Sequence, residues 1–363
     1  MEQKTRRVPE IELMKAIAII GMVYVHVLEC SLGSFTNIKE LPGMIPYTLL
    51  EFIGGIPAVG AFMFAMGWGA SHSVNATPRT YVSRAWKFAL LTFYINFLCD
   101  FLPGILDPET FGTIKDYPWG IIDFNIYSFA ALFMLFFALM KKLEGKRWIR
   151  GIISIVIVLA ALIADIFVKP ETYKGNQWIA TLMGIFVREN DFNWYPLIPW
   201  AAFPVAGYWA GILYKKWNNR VRFGLASLAA GAVLFTVSFF VLRAEGTPMA
   251  ALNPGGVTPY DYYAPTIWNV VCAFGLLSLE YALTFGIMTL TKGNLHPFFG
   301  DLSRNVMWMF LVQWIFIMPF YPVLHRNTNV WVNTVLGTVL FVVIYITVKL
   351  LRRWLIKPGR NIL

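Results

Sequence analysis

A chain of 363 residues is long enough for two soluble domains, but 58 % of it is apolar and only 14 % is charged. A soluble surface needs roughly a quarter of its residues charged, so the composition excludes an ordinary soluble globule and points to lipid as the solvent. The net charge of +10 would suit nucleic acid in a soluble protein. Here the cations stand in short stretches between apolar runs and do not interleave with aromatics as single-strand binding requires, so nucleic acid is not an expected partner.

Apolar stretches near 13–30, 46–70, 84–105, 119–140, 149–168, 194–214, 221–242, 265–290, 302–323 and 329–351 are about as long as a helix needs to cross a bilayer. The expected fold is all-α: a polytopic bundle of about ten transmembrane helices in a single integral-membrane domain, 1–363. Lys4, Arg6 and Arg7 precede the first stretch as they would in a signal peptide. Glu12 and Lys15 interrupt it and no small-residue cleavage site follows, so it reads as a retained span. With a cytoplasmic N-terminus, 23 of the 30 Lys and Arg fall on the inner side, at the N-terminus and around 79–87, 141–150, 215–222, 292–304 and 349–360. One missed span would invert part of that alternation, so the bias predicts both termini in the cytoplasm. A bacterial inner or cell membrane is the default location. The opposite segments 102–118, 169–193 and 243–264 are longer and rich in Pro, Gly, Asn, Trp and Tyr. Cys30, Cys99 and Cys272 lie far apart in apolar stretches, form no CxxC, and predict no metal site.

A charge in the bilayer interior costs several kcal/mol, so ionisable residues there mark sites or pathways. In the first span Glu12, Lys15, Ile19, Met22, His26 and Glu29 step by 3, 4, 3, 4 and 3, which puts them on one helical face. Lys15 and His26 lie roughly 16 Å apart along the axis. Histidine titrates near neutrality and is the usual general base; a carboxylate at i+3, Glu29, can orient its ring. The same residues also suit a core histidine with a satisfied hydrogen bond and an interfacial acid.

Arg79, Arg84 and Lys87 cluster where the third span begins. That pattern fits a phosphate or pyrophosphate group, or ordinary snorkelling towards the membrane surface. Glu51 and Asp123 lie towards the outer side, where they can help form an acceptor site, and Glu280 and Arg304 are candidates to pair with each other. Gly207-x-x-x-Gly211 reads as a helix-packing motif. Pro199 and Pro204 predict a kink or a late helix start in the sixth span.

The segment from Arg7 to His26 resembles the opening of membrane acyltransferases, namely the acyltransferase-3 family and the related heparan-α-glucosaminide N-acetyltransferase-like family. Their signature is an acid, then a basic residue before Gly-Ile/Leu-Ala, then a late histidine. In the acyltransferase-3 family it is Arg-x10-His; here Lys15-x10-His26 keeps the spacing, with Ala16 for the usual Gly. Four further stretches are similar to these families. Ala61–Gly67 resembles the Phe-rich second span, and Arg84-x-x-Lys87 resembles an Arg-x-x-Arg pair. Trp194–Trp200 running on to Gly211 resembles a Pro-Leu-x-Pro-Trp…Gly segment, and Gly300-Asp-Leu-Ser303 a Gly-x-x-Ser stretch. Lysine keeps the charge of the arginines it replaces but not their planar fork.

The resemblance implies transfer of an acyl group, usually acetyl, from cytoplasmic acetyl-CoA or another acyl-CoA to a hydroxyl or amine of a sugar or glycan acceptor. It implies His26 as base or transient acyl carrier, Glu12 positioning Lys15, and Lys15, Arg79, Arg84 and Lys87 holding the CoA phosphates. Glu51, Asp123, Trp194 and Trp200 would face the acceptor. Two other readings fit the same residues. One is a proton-coupled transporter or flippase with Glu51, His26, Asp123 and Glu280 as relay; the other is a non-catalytic scaffold of the same fold. The sequence sets no oligomeric state.

Overall fold

The computed structural model describes residues 7–32, 54–106, 124–167, 185–186, 195–247, 266–324 and 329–355. Among these the chain is helical, without strands. We label α1 Pro9–Leu32, α2 Ile56–His72, α3 Pro78–Asn96, α4 Ile126–Lys142, α5 Arg147–Phe167, α6 Ala202–Trp217, α7 Arg220–Glu245, α8 Ile267–Leu290, α9 Pro297–Leu324 and α10 Val330–Leu355. Each of the ten expected spans overlaps one of these helices. α3 runs on through a π-helical turn, Phe97–Phe101, into Leu102–Leu106. Five helices among the described residues are long and apolar enough to cross a membrane: Pro9–Leu28, Leu197–Trp217, Arg220–Glu245, Ile267–Leu290 and Trp331–Trp354.

The helix ends follow from local chemistry. Thr77 caps α3 by accepting from the Thr80 N–H, with Pro78 in the first turn, where its missing N–H leaves nothing unpaired. Asn125, Asn219 and Thr266 cap α4, α7 and α8 in the same way. α6 starts late, as its prolines predict. A short turn, Leu197–Trp200, contains the non-helical Ile198, and α6 begins at Ala202. Pro204 then sits in the first turn, where backbone N–H groups have no helical acceptor. Asn218, at φ 46°, ends α6, and Asn219 immediately caps α7.

Contacts between helices set their relative directions. Glu12 meets Ser303 and His26 meets Gln313, so α1 and α9 run parallel. Thr92 with Ser128 and Tyr81 with Phe137 make α3 and α4 antiparallel. α10 runs back along α9: Tyr345 meets Asp301 near the start of α9, whereas Leu336 and Leu340, earlier in α10, pack with Ile317 and Met318 near its end. The short connections 72–78, 142–147, 217–220 and 290–297 therefore share one end of the bundle with the start of α1, and they carry many of the cations.

Glycines bring α2 and α6 into close contact. A Cβ at Gly67 would lie 1.9 Å from the Pro204 carbonyl oxygen, one at Gly207 2.0 Å from that of Phe64, and one at Gly211 2.1 Å from Ser71 Oγ. Gly207-x-x-x-Gly211 is thus a packing motif, as read from the sequence, and α2 supplies Gly60 and Gly67 to the same seam. α7 and α8 approach in the same way at Gly224, Gly231 and Gly275. Gly207→Ala is expected to destabilise the protein by about 1–3 kcal/mol through overpacking. Gly286→Ala, whose Cβ meets nothing within 4 Å, is expected to be neutral or stabilising by up to about 1 kcal/mol. Thermal unfolding of both variants in detergent is the check.

Candidate functional site

α1 is the most enclosed of the long apolar helices, packed between α2, α8, α9 and α10. Its first turn carries two carboxylates, and each finds a different partner. Glu10 is fully buried and accepts from Arg220 Nε at the start of α7, whose guanidinium lies over the Phe285 ring of α8. Glu12 takes the Lys15 ammonium at 2.8 Å, Arg7 at 3.3 Å and the Ser303 hydroxyl of α9 at 2.7 Å. One carboxylate thus holds two cations and a hydroxyl from a second helix. With its lone pairs shared among these donors, Glu12 fixes the Lys15 ammonium at the α1–α9 contact.

Further along the same stripe, Ile19 packs with Leu302 and Met309 of α9, and His26 then reaches the fully buried Gln313. Gln313 Nε2 lies 3.0 Å from His26 Nδ1. The imidazole is flanked by Trp314, tilted at 4.5 Å between centroids, and by Phe310, edge-on at 5.9 Å. The predicted stripe therefore faces α9 rather than lipid. With the carboxamide nitrogen donating, Nδ1 accepts and the neutral ring carries its proton on Nε2. With the carboxamide turned over, Oε1 accepts from Nδ1–H and Nε2 keeps a free lone pair. The two orientations have the same shape. Gln313 and Trp314 were not singled out in the sequence, because amides and aromatics at helical spacing look like core or belt until a partner helix is placed against them.

The α9–α10 contact adds a second polar group. Asp301 accepts from Tyr345 at 3.0 Å, from Asn305 at 3.2 Å and from Arg304 at 3.3 Å, and Arg352 donates to Asn305 Oδ1. The expected Glu280–Arg304 pair is not formed. Arg304 turns to Asp301 on its own helix one turn back, and Glu280 Oε2 is buried with no partner among the described residues.

Arg79 and Arg84 are exposed on the first turns of α3, and Lys87 is half-buried there. Arg84 lies over the Tyr81 ring at 5.9 Å, whereas Lys15 belongs to the α1–α9 contact. Tyr81 packs on Phe137 and donates to the Ala70 carbonyl, which places Arg84 beside the end of α2. Trp200 is fully buried, packed against Tyr195 and Phe203. Glu29 lies on α1 with its side chain outside the described residues; Glu51, Asp123 and Trp194 also lie outside them. Among the described residues no group of three His, Cys, Asp or Glu is placed to hold a metal ion.

Because Glu12 and Ser303 touch, their substitutions are expected to be non-additive. A Glu12→Gln/Ser303→Ala double-mutant cycle read by chemical or thermal unfolding should give a coupling of about 0.5–3 kcal/mol. A coupling within error of zero would show that the contact does not hold α1 to α9.

A family model described as an acyltransferase domain matches residues 8–350, from the residue before the start of α1 to the last turns of α10. No curated protein and no solved structure matches the chain.

Proposed function

The chain belongs to the acyltransferase-3 family, and from that premise we propose that it moves an acyl group, acetyl in the simplest case, from cytoplasmic acyl-CoA to a hydroxyl or amine of a sugar or glycan. It is a membrane acyltransferase in the general sense; the donor, the acyl group and the acceptor are our reading. In this reading all ten long helices cross the bilayer and both termini face the cytoplasm of a bacterial inner or cell membrane. The end of the bundle that gathers the short, cation-bearing connections is then the inner one. The acceptor approaches from the other side, where the sequence places Glu51, Asp123 and Trp194; Trp200 on that side is fully buried and would support the acceptor site from behind rather than touch the acceptor.

The observation that carries the proposal is the pairing of His26 with Gln313 on α9, on the same helix as the Glu12–Lys15–Ser303 group and about three turns from it. His26 Nε2 takes the proton of the acceptor hydroxyl as its oxygen attacks the thioester carbonyl carbon. The C–S bond breaks, and the CoA thiolate leaves with the proton returned from the imidazolium. This needs the Nε2 lone pair, hence a proton on Nδ1 and an acceptor for it, which is the Gln313 orientation with Oε1 towards the ring. Lys15, held by Glu12, and Arg79, Arg84 and Lys87 bind donor phosphates; with Gln313 on Nδ1, the ring-orienting role read for Glu29 falls to Gln313.

His26→Ala in a folded, detergent-purified protein is expected to lower acyl transfer and slow acetyl-CoA hydrolysis by about 10²–10⁴-fold; undiminished activity would sink the assignment. Gln313 separates a base from a packing residue. Gln313→Glu keeps an acceptor for Nδ1–H and is expected to retain transfer, whereas Gln313→Leu should lower the maximal rate with little change in the donor concentration at half-saturation.

A transporter or flippase remains the second reading. It is favoured by one observation, the unpartnered buried Glu280 Oε2 in α8. Proton-coupled uptake that is independent of acyl-CoA and lost in Glu280→Gln would select it.

A further inference from the structure

At the end of the bundle that carries the short connections, α2, α3, α4, α5 and α6 enclose a cleft of about 450 Å³, a volume in the range of small-molecule sites. Lys141, Arg147, Arg150, Lys215 and Lys216 line it, against a single carboxylate, Glu144. Glu144 is occupied by Lys141 at 2.8 Å. Among the described residues the other four cations make no ion pair.

Loop charge of the ordinary inner-side kind explains why these residues are basic. It does not explain why two separate segments of the chain, on three helices, aim them into one concavity, where like charges repel at close range. The cleft is also built for geometry. Arg150 is half-buried and donates through Nη1 to the Tyr208 hydroxyl at 2.8 Å, while its Nε is buried without an acceptor. Lys215 donates to the Ser71 carbonyl at the end of α2. Tyr81, Ser71 and Ser73 add hydroxyl groups to the wall. A guanidinium fixed by a tyrosine, several ammonium groups and neutral hydroxyls are together the chemistry that receives phosphate oxygens.

The geometry points to a binding site for a pyrophosphate-bearing or otherwise phosphorylated anion in this cleft. The site goes beyond the donor contacts proposed above and does not rest on them: none of the five cations belongs to the His26 column or is among Arg79, Arg84 and Lys87, although Tyr81 of α3 shares the cleft wall. The phosphate can come from a soluble nucleotide or from the headgroup of an anionic lipid, which basic pockets at this depth also bind.

The test uses the full chain in nanodiscs. In neutral phosphatidylcholine discs, ADP is titrated against the wild type, Arg150→Gln, Lys141→Gln and the control Arg243→Gln, an exposed cation near the far end of α7. In parallel, discs containing phosphatidylglycerol are assayed by mass spectrometry for lipid retained through delipidation. Saturable ADP binding, weakened about tenfold or more by Arg150→Gln and Lys141→Gln and unchanged by Arg243→Gln, assigns the cleft to a soluble phosphate ligand. Retention of phosphatidylglycerol without ADP binding, lost in the same two variants, assigns it to a lipid headgroup. Absence of both, or binding that none of the cleft substitutions alters, overturns the proposal. Arg150→Lys and Lys141→Arg keep the charges and are expected to bind within a few-fold of the wild type, which separates lost charge from lost folding. His26→Ala is expected to bind ADP as the wild type does, so an inactive enzyme and an absent phosphate site give different results.

Discussion

The charged and polar groups of α1 cannot stand in an apolar interior without partners, and most of those partners lie on other helices. Glu10 reaches Arg220 of α7, Glu12 reaches Ser303 of α9 while holding Lys15, and His26 reaches Gln313 of α9. A buried ion left without its counter-group is costly by several kcal/mol, so these contacts permit few alternative placements of the helices around α1. They also orient the bundle. Two contacts, about four turns apart on α1 and about three on α9 and both increasing in residue number, make α1 and α9 parallel, and α10 folds back along α9, with Tyr345 at Asp301 and the earlier Leu336 and Leu340 near Ile317 and Met318.

The second constraint is close approach. Between apolar helices in lipid there is little hydrophobic gain on contact, so packing depends on how near the backbones can come. The α2–α6 seam meets that condition with Gly60, Gly67, Gly207 and Gly211, and the α7–α8 seam with Gly224, Gly231 and Gly275. The α2–α6 seam also sets the floor of the basic cleft, because Gly211 brings the end of α6 onto Ser71 and so carries Lys215 to the Ser71 carbonyl. Packing far from any chemistry thus decides where the cations around two connections meet.

The two polar regions divide the tasks that the family assignment raises. The α1–α9 column presents a histidine with an amide partner, shielded by Phe310 and Trp314, which suits proton transfer away from water. The cleft presents fixed positive charge at the end of the bundle where the short connections gather, which suits anion capture. A charge cluster placed beside the histidine would instead draw water and counter-ions to the base.

Apolar run lengths and loop charge predicted the all-α class and ten helices in their observed order, because the need to bury every backbone polar group in lipid leaves little else possible. The 3–4 spacing of Glu12, Lys15 and His26 also made their common face legible, since helical period is a local property. The glycine motif of α6 and its late start after Pro199 were readable for the same reason. What the spacing could not supply was the partner across each contact. Gln313 and Ser303 become relevant only when α9 lies parallel to α1, Arg304 turns to Asp301 rather than to Glu280, and Arg150 and Lys215 look like ordinary inner-side charges until α5 and α6 bring them to one cleft. Helical period and composition identified which residues share a helix face and which helix ends are basic; tertiary packing set which faces meet, because that choice depends on close approach and polar pairing between segments as much as 314 residues apart.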